Sequence, residues 1–259
     1  MIDLSIVFGT YNRLDYLKQC LNSLEYPIGR YRKDGFPPSL FTETIVVYEG
    51  NIITDEINYL QNVGDLYMIH QGGLLGCVDA YNKGFARARG KYVAFINDDV
   101  TVENNALVQS VEMLDNNPDI GMVAIPYENP GMSRMVAYCT AGNPSKKYLF
   151  ACFGVLRREL GERAGWFDGF YHYCGDSHLA MSIWKMGYRV EELRTGGYIK
   201  HYDAPSPVKN GDPAIKGKIK NDWRLWGEKW GSWNHVIDSR NEKDLVEANL
   251  QPEKEMPEE

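Results

Sequence analysis

Four short apolar runs, each closed by a turn, most limit the folds open to this chain. Leu4-Ser-Ile-Val-Phe8 stops at Gly9-Thr10, Thr44-Ile-Val-Val-Tyr-Glu49 at Gly50-Asn51, and Asp65-Leu-Tyr-Met-Ile-His-Gln71 at Gly72-Gly73. The fourth, Tyr92-Val-Ala-Phe-Ile96, runs into Asn97, Asp98 and Asp99. None alternates strictly, and segments of helical spacing separate them: Leu14, Leu17, Leu21 and Leu24 after the first, Val78, Tyr81 and Phe85 before the fourth. Strands buried on both faces and separated by helices predict an α/β fold with a largely parallel sheet. In such sheets ligands bind beyond the carboxyl ends of the strands, which is where Asn97, Asp98 and Asp99 stand.

A helix starting near Asn104 and carrying Leu107, Val111 and Leu114 follows, ended by Asn116-Asn117-Pro118, and then a fifth strand, Ile120 to Ile125. The second half is less regular. Tyr148 to Leu156 reads as one strand, Ser177 to Met186 as a helix closed by Gly187, and Arg189–Leu193 and Tyr198–His201 as short strands. The Pro- and Gly-rich stretch from Ala204 to Pro213 marks a loop or lid. Beyond it Trp223, Trp226 and Trp230 form one stripe of a terminal helix, suited to docking on the core or on a second copy of the chain, so a homodimer is among the expected partners. The acidic stretch from 247 to 259 is expected to be disordered.

Composition narrows the function. The 259 residues, 44% hydrophobic, suffice for one large α/β domain, and a net charge of −7 gives no surface for nucleic acid. An anionic ligand must then be held by local groups or by a metal. Five cysteines without a CxxC pair suit reduced thiols and imply no zinc site. The absence of a leader pattern and of any long apolar run leads to the expectation of a soluble, cytoplasmic protein without a transmembrane segment.

Two adjacent carboxylates at a buried strand end repel each other, and a hard divalent cation between them and a ligand relieves the repulsion. The structural alternative is an Asx turn at Asn97 and Asp98 with Asp99 capping the next helix. Gln71-Gly-Gly-Leu-Leu-Gly76 loosely mimics a dinucleotide fingerprint, but it does not follow the first strand of its unit and lacks the acidic partner.

The segments "LSIVFGTYNRLDYLKQCLNSL", "TIVVYEGN", "GGLLGCVDAYNKGFARARGKYVAFINDD" and "GWFDGFYHYCGDSHLAMSIWKMGYRV" resemble, in this order, family 2 glycosyltransferases of the GT-A fold, over residues 2 to 203. The resemblance implies an inverting enzyme that moves a sugar from a nucleotide diphosphate donor to an acceptor hydroxyl, with Mn²⁺ or Mg²⁺ as cofactor. Asn97-Asp98-Asp99 matches the family's metal-binding acidic motif, with Asp99 as direct ligand and Asn97 where Asp is usual. Thr10, Tyr11, Asn12 and Arg13 resemble the loop that wraps the nucleoside. Glu49 stands where an acid hydrogen-bonds the base, with Tyr48 replacing a second acid. A carboxylate there suits the N3–H of uracil, so UDP-glucose or UDP-galactose is the expected donor, ahead of dTDP-rhamnose. Gly72 and Gly73 allow close approach of the nucleotide, and Asn82 joins the same donor-binding set.

Asp176 matches the Asp of a Glu-Asp motif whose Asp acts as base. Gly175 replaces the Glu, and His178 stands where another Asp is frequent. Read without the family, Asp176 is an N-cap residue. His201 aligns with a His that binds metal or diphosphate, and Trp166 with Asp168 resembles the wall facing sugar or acceptor. The expected division is a GT-A domain over 1–203, a nucleotide-binding half to about 100 and an acceptor half after it, then a loop and helix over 204–246 and the tail. The acceptor is expected to be a glycan, a lipid-linked sugar or a protein. The departures at Asn97 and Gly175 favour the competing reading, a non-catalytic nucleotide-sugar or glycan binding module on the same fold, and a nucleotide-sugar hydrolase is a third reading.

Overall fold

The computed structural model describes residues 2–24, 40–50, 55–63, 66–141, 143–205, 213–231 and 237–238. Most of the Ala204–Pro213 loop and the whole of the 247–259 tail lie outside the described residues.

The first apolar run becomes β1 (Leu4–Thr10), and the helix with its leucine spacing becomes α1 (Leu14–Ser23). There follow β2 (Thr42–Tyr48), α2 (Asp55–Asn62), β3 (Leu66–His70), α3 (Cys77–Arg87) and β4 (Tyr92–Phe95). Beyond them come β5 (Val100–Glu103), α4 (Ala106–Asn116), β6 (Ile120–Ala124), β7 (Tyr127–Glu128), β8 (Ala137–Ala141), β9 (Asn143–Phe150) and β10 (Gly154–Arg157). The chain continues as α5 (Arg158–Ala164), α6 (Gly175–Lys185), β11 (Arg189–Glu192), β12 (Tyr198–His201), α7 (Pro213–Trp230) and β13 (Ile237–Asp238).

The main sheet has seven strands in the order β11-β6-β10-β4-β1-β2-β3. Its pairings are parallel except those of β10, which runs against both β4 and β6. Because side chains alternate across a strand, the sheet feeds two cores. Leu4, Ile6 and Phe8 of β1 with Tyr92, Ala94 and Ile96 pack against α1, α2 and α4. Val7, Val93 and Phe95 face the other way, onto α3, α5, α6 and α7. Helices thus cover both faces of a mainly parallel sheet, as the apolar runs predict.

Two expectations change. Tyr148 to Leu156 is two strands, since β9 pairs with β8 in a separate small sheet while β10 enters the main one. The break at Ala151-Cys152-Phe153 is itself buried or half-buried and carries none of the usual turn residues, so periodicity does not reveal it. The chain after Asp99 first makes β5, and the helix starts at Ala106 after Asn104 and Asn105 turn in the left-handed region (φ 52° and 57°). Asp99 is therefore no helix cap. The tryptophan stripe docks on the protein's own core, where Trp226 is fully buried and Trp230 nearly so.

Candidate active site

The carboxyl ends of β1, β2 and β4 bring Thr10, Arg13, Glu49, Asp98 and Asp99 to one rim. Arg13 Nη1 lies 3.2 Å from Asp98 Oδ1 and 3.1 Å from Asp99 Oδ2, so one guanidinium bridges the two adjacent acids. Thr10 Oγ1 lies 2.8 Å from both Asp98 Oδ2 and Glu56 Oε1. A hydroxyl has one proton to give, so one of these two contacts needs a proton from the carboxyl. Asp98 suits that role, since burial, opposed by Arg13 and reinforced by Asp99, raises its pKa to about 7. Glu56 also accepts the backbone N–H groups of Asn12 and Arg13, at 2.7 and 2.9 Å, and so shapes the loop after β1, where Asn12 is left-handed. Tyr11 is half-buried in that loop.

Asp99 and His201 meet through a second, smaller sheet. β12 pairs antiparallel with β5 so that His201 stands opposite Val100, and Tyr202 N–H donates to Asp99 O at 2.9 Å. β7 runs parallel to β12 and leads to Asn129, whose Oδ1 lies 2.7 Å from His201 Nδ1. With Asn129 Oδ1 as acceptor, the proton sits on Nδ1, and Nε2 faces Asp99 Oδ1 at 3.4 Å. Asp99 Oδ1 is buried and makes no hydrogen bond. Its partner oxygen accepts Ala204 N–H at 2.9 Å. Burial works against the charge, yet His201 when its ring is doubly protonated, Arg13 and the Ala204 amide hold the Asp99 carboxyl below its ordinary pKa.

With the His201 ring neutral, Nε2 and Asp99 Oδ1 are two acceptors that repel unless a cation lies between them. Asp99 Oδ1 and His201 Nε2 therefore fit a divalent metal ion, and the donor set of one carboxylate and one imidazole suits Mn²⁺. Among the described residues no group of three or more His, Cys, Asp or Glu side chains is arranged to hold a metal. Asn97 and Asp98 have other partners: Asn97 Oδ1 accepts the Tyr81 hydroxyl at 2.7 Å, and Asp98 is tied to Arg13 and Thr10.

Glu49, just past β2, is 6% exposed, and its Oε2 is buried without a hydrogen-bond partner. Burial first, then the nearby Asp98, raises its pKa to about 7. Gly72 and Gly73 both have positive φ (79° and 158°), and a side chain at Gly72 would meet open space. Asn82 Oδ1 accepts Phe167 N–H at 3.2 Å, which ties α3 to the loop before α6.

Asp176 lies in the first turn of α6 and accepts the N–H of Ser177 at 2.7 Å. Desolvation raises its carboxyl pKa to about 6. Gly175 is buried, and a Cβ there would lie 2.9 Å from Phe167 Cβ and 3.0 Å from Phe167 Cγ, which gives a packing reason for glycine in place of the family's Glu. His178 is buried against Phe170 and Trp230, and Trp230 Nε1–H donates to its Nδ1 at 3.1 Å. Trp166 stacks on Phe85 with ring centroids 4.5 Å apart and covers Gly161, a packing position, while Asp168 is exposed.

Sequence reasoning missed Glu56, Asn129 and Tyr81. Glu56 had a readable sign: with Ile57 and Leu60 it is buried on the inner face of α2, where an acid needs a polar partner. Asn129 and Tyr81 carry no such sign.

The fold is that of the crystal structure of residues 1–349 of S. aureus TarS in complex with UDP-GlcNAc, with TM-score 0.65 and 14% identity, over 88% of this chain and 66% of that one. The crystal structure titled TarS 1-349 matches with TM-score 0.56 and 17% identity, over 78% of this chain and 60% of that chain. Its complex with UDP matches with TM-score 0.55 and 15% identity, over 79% and 61%. The chain thus spans about three-fifths to two-thirds of the length of these TarS chains. No curated protein matches the chain. The model of the glycosyl transferase family 2 matches residues 5–170, well over half of the chain, and the protein belongs to that family.

Proposed function

We propose that the protein is an inverting, metal-dependent glycosyltransferase that uses a UDP-sugar, UDP-glucose or UDP-galactose in the first instance. One observation carries this reading: a buried Asp99 oxygen without a hydrogen bond faces His201 Nε2 across 3.4 Å. Asp99 and His201 would hold Mn²⁺ or Mg²⁺. When bound, the metal supplies Lewis acidity toward the leaving diphosphate.

The chain's own groups divide the remaining work. Glu49 accepts the base N3–H with its unpartnered oxygen. Arg13 adds positive charge beside Asp98 and Asp99 where the diphosphate departs. Asp176 takes the proton from the acceptor hydroxyl as the anomeric carbon is attacked opposite the leaving group, and a carboxyl poised near 6 is ionised for that task at neutral pH. UDP-GlcNAc, bound by the TarS crystal structure, joins the donors to be tried.

The test is a thermal-shift panel of UDP, GDP and dTDP and their sugars, with and without Mn²⁺, followed by UDP release and sugar transfer. A ligand that binds only the folded state raises the melting temperature by mass action. A Mn²⁺-dependent shift with uridine nucleotides and multiple turnover is the expected result. Binding without turnover would favour the non-catalytic module, and free sugar with every acceptor would favour a hydrolase.

A further inference from the structure

The segment 171–173, which leads into α6 and Asp176, is gripped from two sides. On one side is Asp222 of α7, fully buried. Its Oδ1 accepts Tyr171 N–H at 2.8 Å, and its Oδ2 accepts His172 N–H at 2.9 Å and Tyr173 N–H at 3.0 Å. On the other side, at the start of α3, Val78 N–H donates to Tyr171 O at 3.4 Å and the Cys77 thiol to His172 O at 3.3 Å. Tyr171 also fills the space beside Gly76, where a Cβ would come within 2.7 Å of its ring. Gly76 closes the glycine turn that begins at Gly72.

Three successive amides aimed at one carboxylate leave the backbone little freedom. Hydrogen bonds to an ionised acceptor are the stronger kind, and without Asp222 three successive amides would lose their partner at once. Immediately after them Cys174 takes a left-handed turn (φ 67°) and α6 begins, so the direction in which Asp176 emerges depends on where 171–173 is held.

We propose that Asp222 is a positioning residue for the transfer step: by gathering the amides of 171–173 it fixes Asp176 relative to the glycine turn on which the donor lies. The role rests on the functional reading given above. It makes α7 part of the active site. Residues 171–173, Asp176 and Asp222 all lie beyond residues 5–170, the part matched by the family model.

The test is Asp222→Asn, which keeps the side-chain shape and one acceptor oxygen but turns an amide group toward the remaining N–H donors. UDP affinity in the presence of Mn²⁺, UDP release from the nucleotide sugar that the wild type turns over, and amide hydrogen exchange are measured on the full chain. The expected result is a kcat at least tenfold lower with KM for the donor and Kd for UDP within twofold. Exchange at 171–173 should be at least tenfold faster, with β1 and β4 unchanged. A merely structural role would lower donor binding and turnover together, or loosen the whole chain, and would overturn the proposal. So would an unchanged kcat, or unchanged protection at 171–173. If the wild type turns over no nucleotide sugar, the functional reading falls and this role falls with it. An active wild type with an unaffected Asp222→Asn refutes the role alone.

Discussion

Replacing Glu49 by Gln should make the protein more stable and worse at holding a uridine nucleotide. The carboxyl titrates at about 7 in the folded chain against an ordinary value of 4.5. The folded state therefore binds this proton more tightly than the unfolded state, and ionised Glu49 opposes folding. That cost is complete above pH 7, shrinks as pH falls from 7 toward 4.5, and vanishes below 4.5. At about 1.4 kcal/mol per pKa unit the rise from 4.5 to about 7 makes the full cost roughly 3.5 kcal/mol. Glu49→Gln carries no charge and escapes it. Urea unfolding at pH 8 should show the variant roughly 3 kcal/mol more stable than wild type, with the gap narrowing toward pH 5. Binding should move the other way, because a neutral amide oxygen in place of the carboxylate makes the bond to the base N3–H about 1 kcal/mol weaker, roughly a fivefold rise in the Kd for UDP. A variant no more stable than wild type at pH 8, or one that binds UDP equally well, would refute the reasoning that this oxygen is held unpartnered for a base.

Asp99→Asn should abolish the Mn²⁺-dependent part of the UDP thermal shift while the protein stays folded, and an undiminished metal effect would remove Asp99 from the site. Asp176→Asn should keep UDP binding and lower transfer by about 10²-fold or more. In the wild type, transfer should decline as pH falls below about 6, because the base must be ionised to act; a flat acid limb down to pH 5 would count against Asp176. Gly175→Ala should cost about 1 to 3 kcal/mol in a denaturant melt, because its Cβ would sit within 3.0 Å of Phe167. Restoring the family's Glu at this position should therefore not raise activity.

The fold was legible wherever burial was two-sided and local. Leu4–Phe8, Thr44–Tyr48 and Tyr92–Phe95 are continuous apolar runs because helices cover both faces, and the turns that end them mark the rim. Asp98, Asp99 and Glu49 could be found because they are attached to those ends. His201 reached Asp99 by a different route, the pairing of β12 with β5, two short strands whose register no local pattern encodes. Glu56 and Asp222 were hidden for a related reason. Each is an acid on the buried face of its helix, Asp222 one turn before Trp226 and two before Trp230. Such a placement requires a polar partner but does not specify which segment supplies it. The break between β9 and β10 was invisible because the chain turns without the usual turn residues.

The reversed strand of the main sheet bears on how this chain acquires its fold. β10 lies between β4 and β6, antiparallel to each, so these two strands are joined in the sheet only through it. A chain emerging in order has β4 and β6 in hand long before residue 157, yet each has an unsatisfied edge until then. Open edges of this kind invite wrong pairing, and pairing across a long sequence separation is slow. A fragment ending before Gly154 should therefore aggregate instead of folding as a free nucleotide-binding half. The expected unit of folding therefore extends at least through β10.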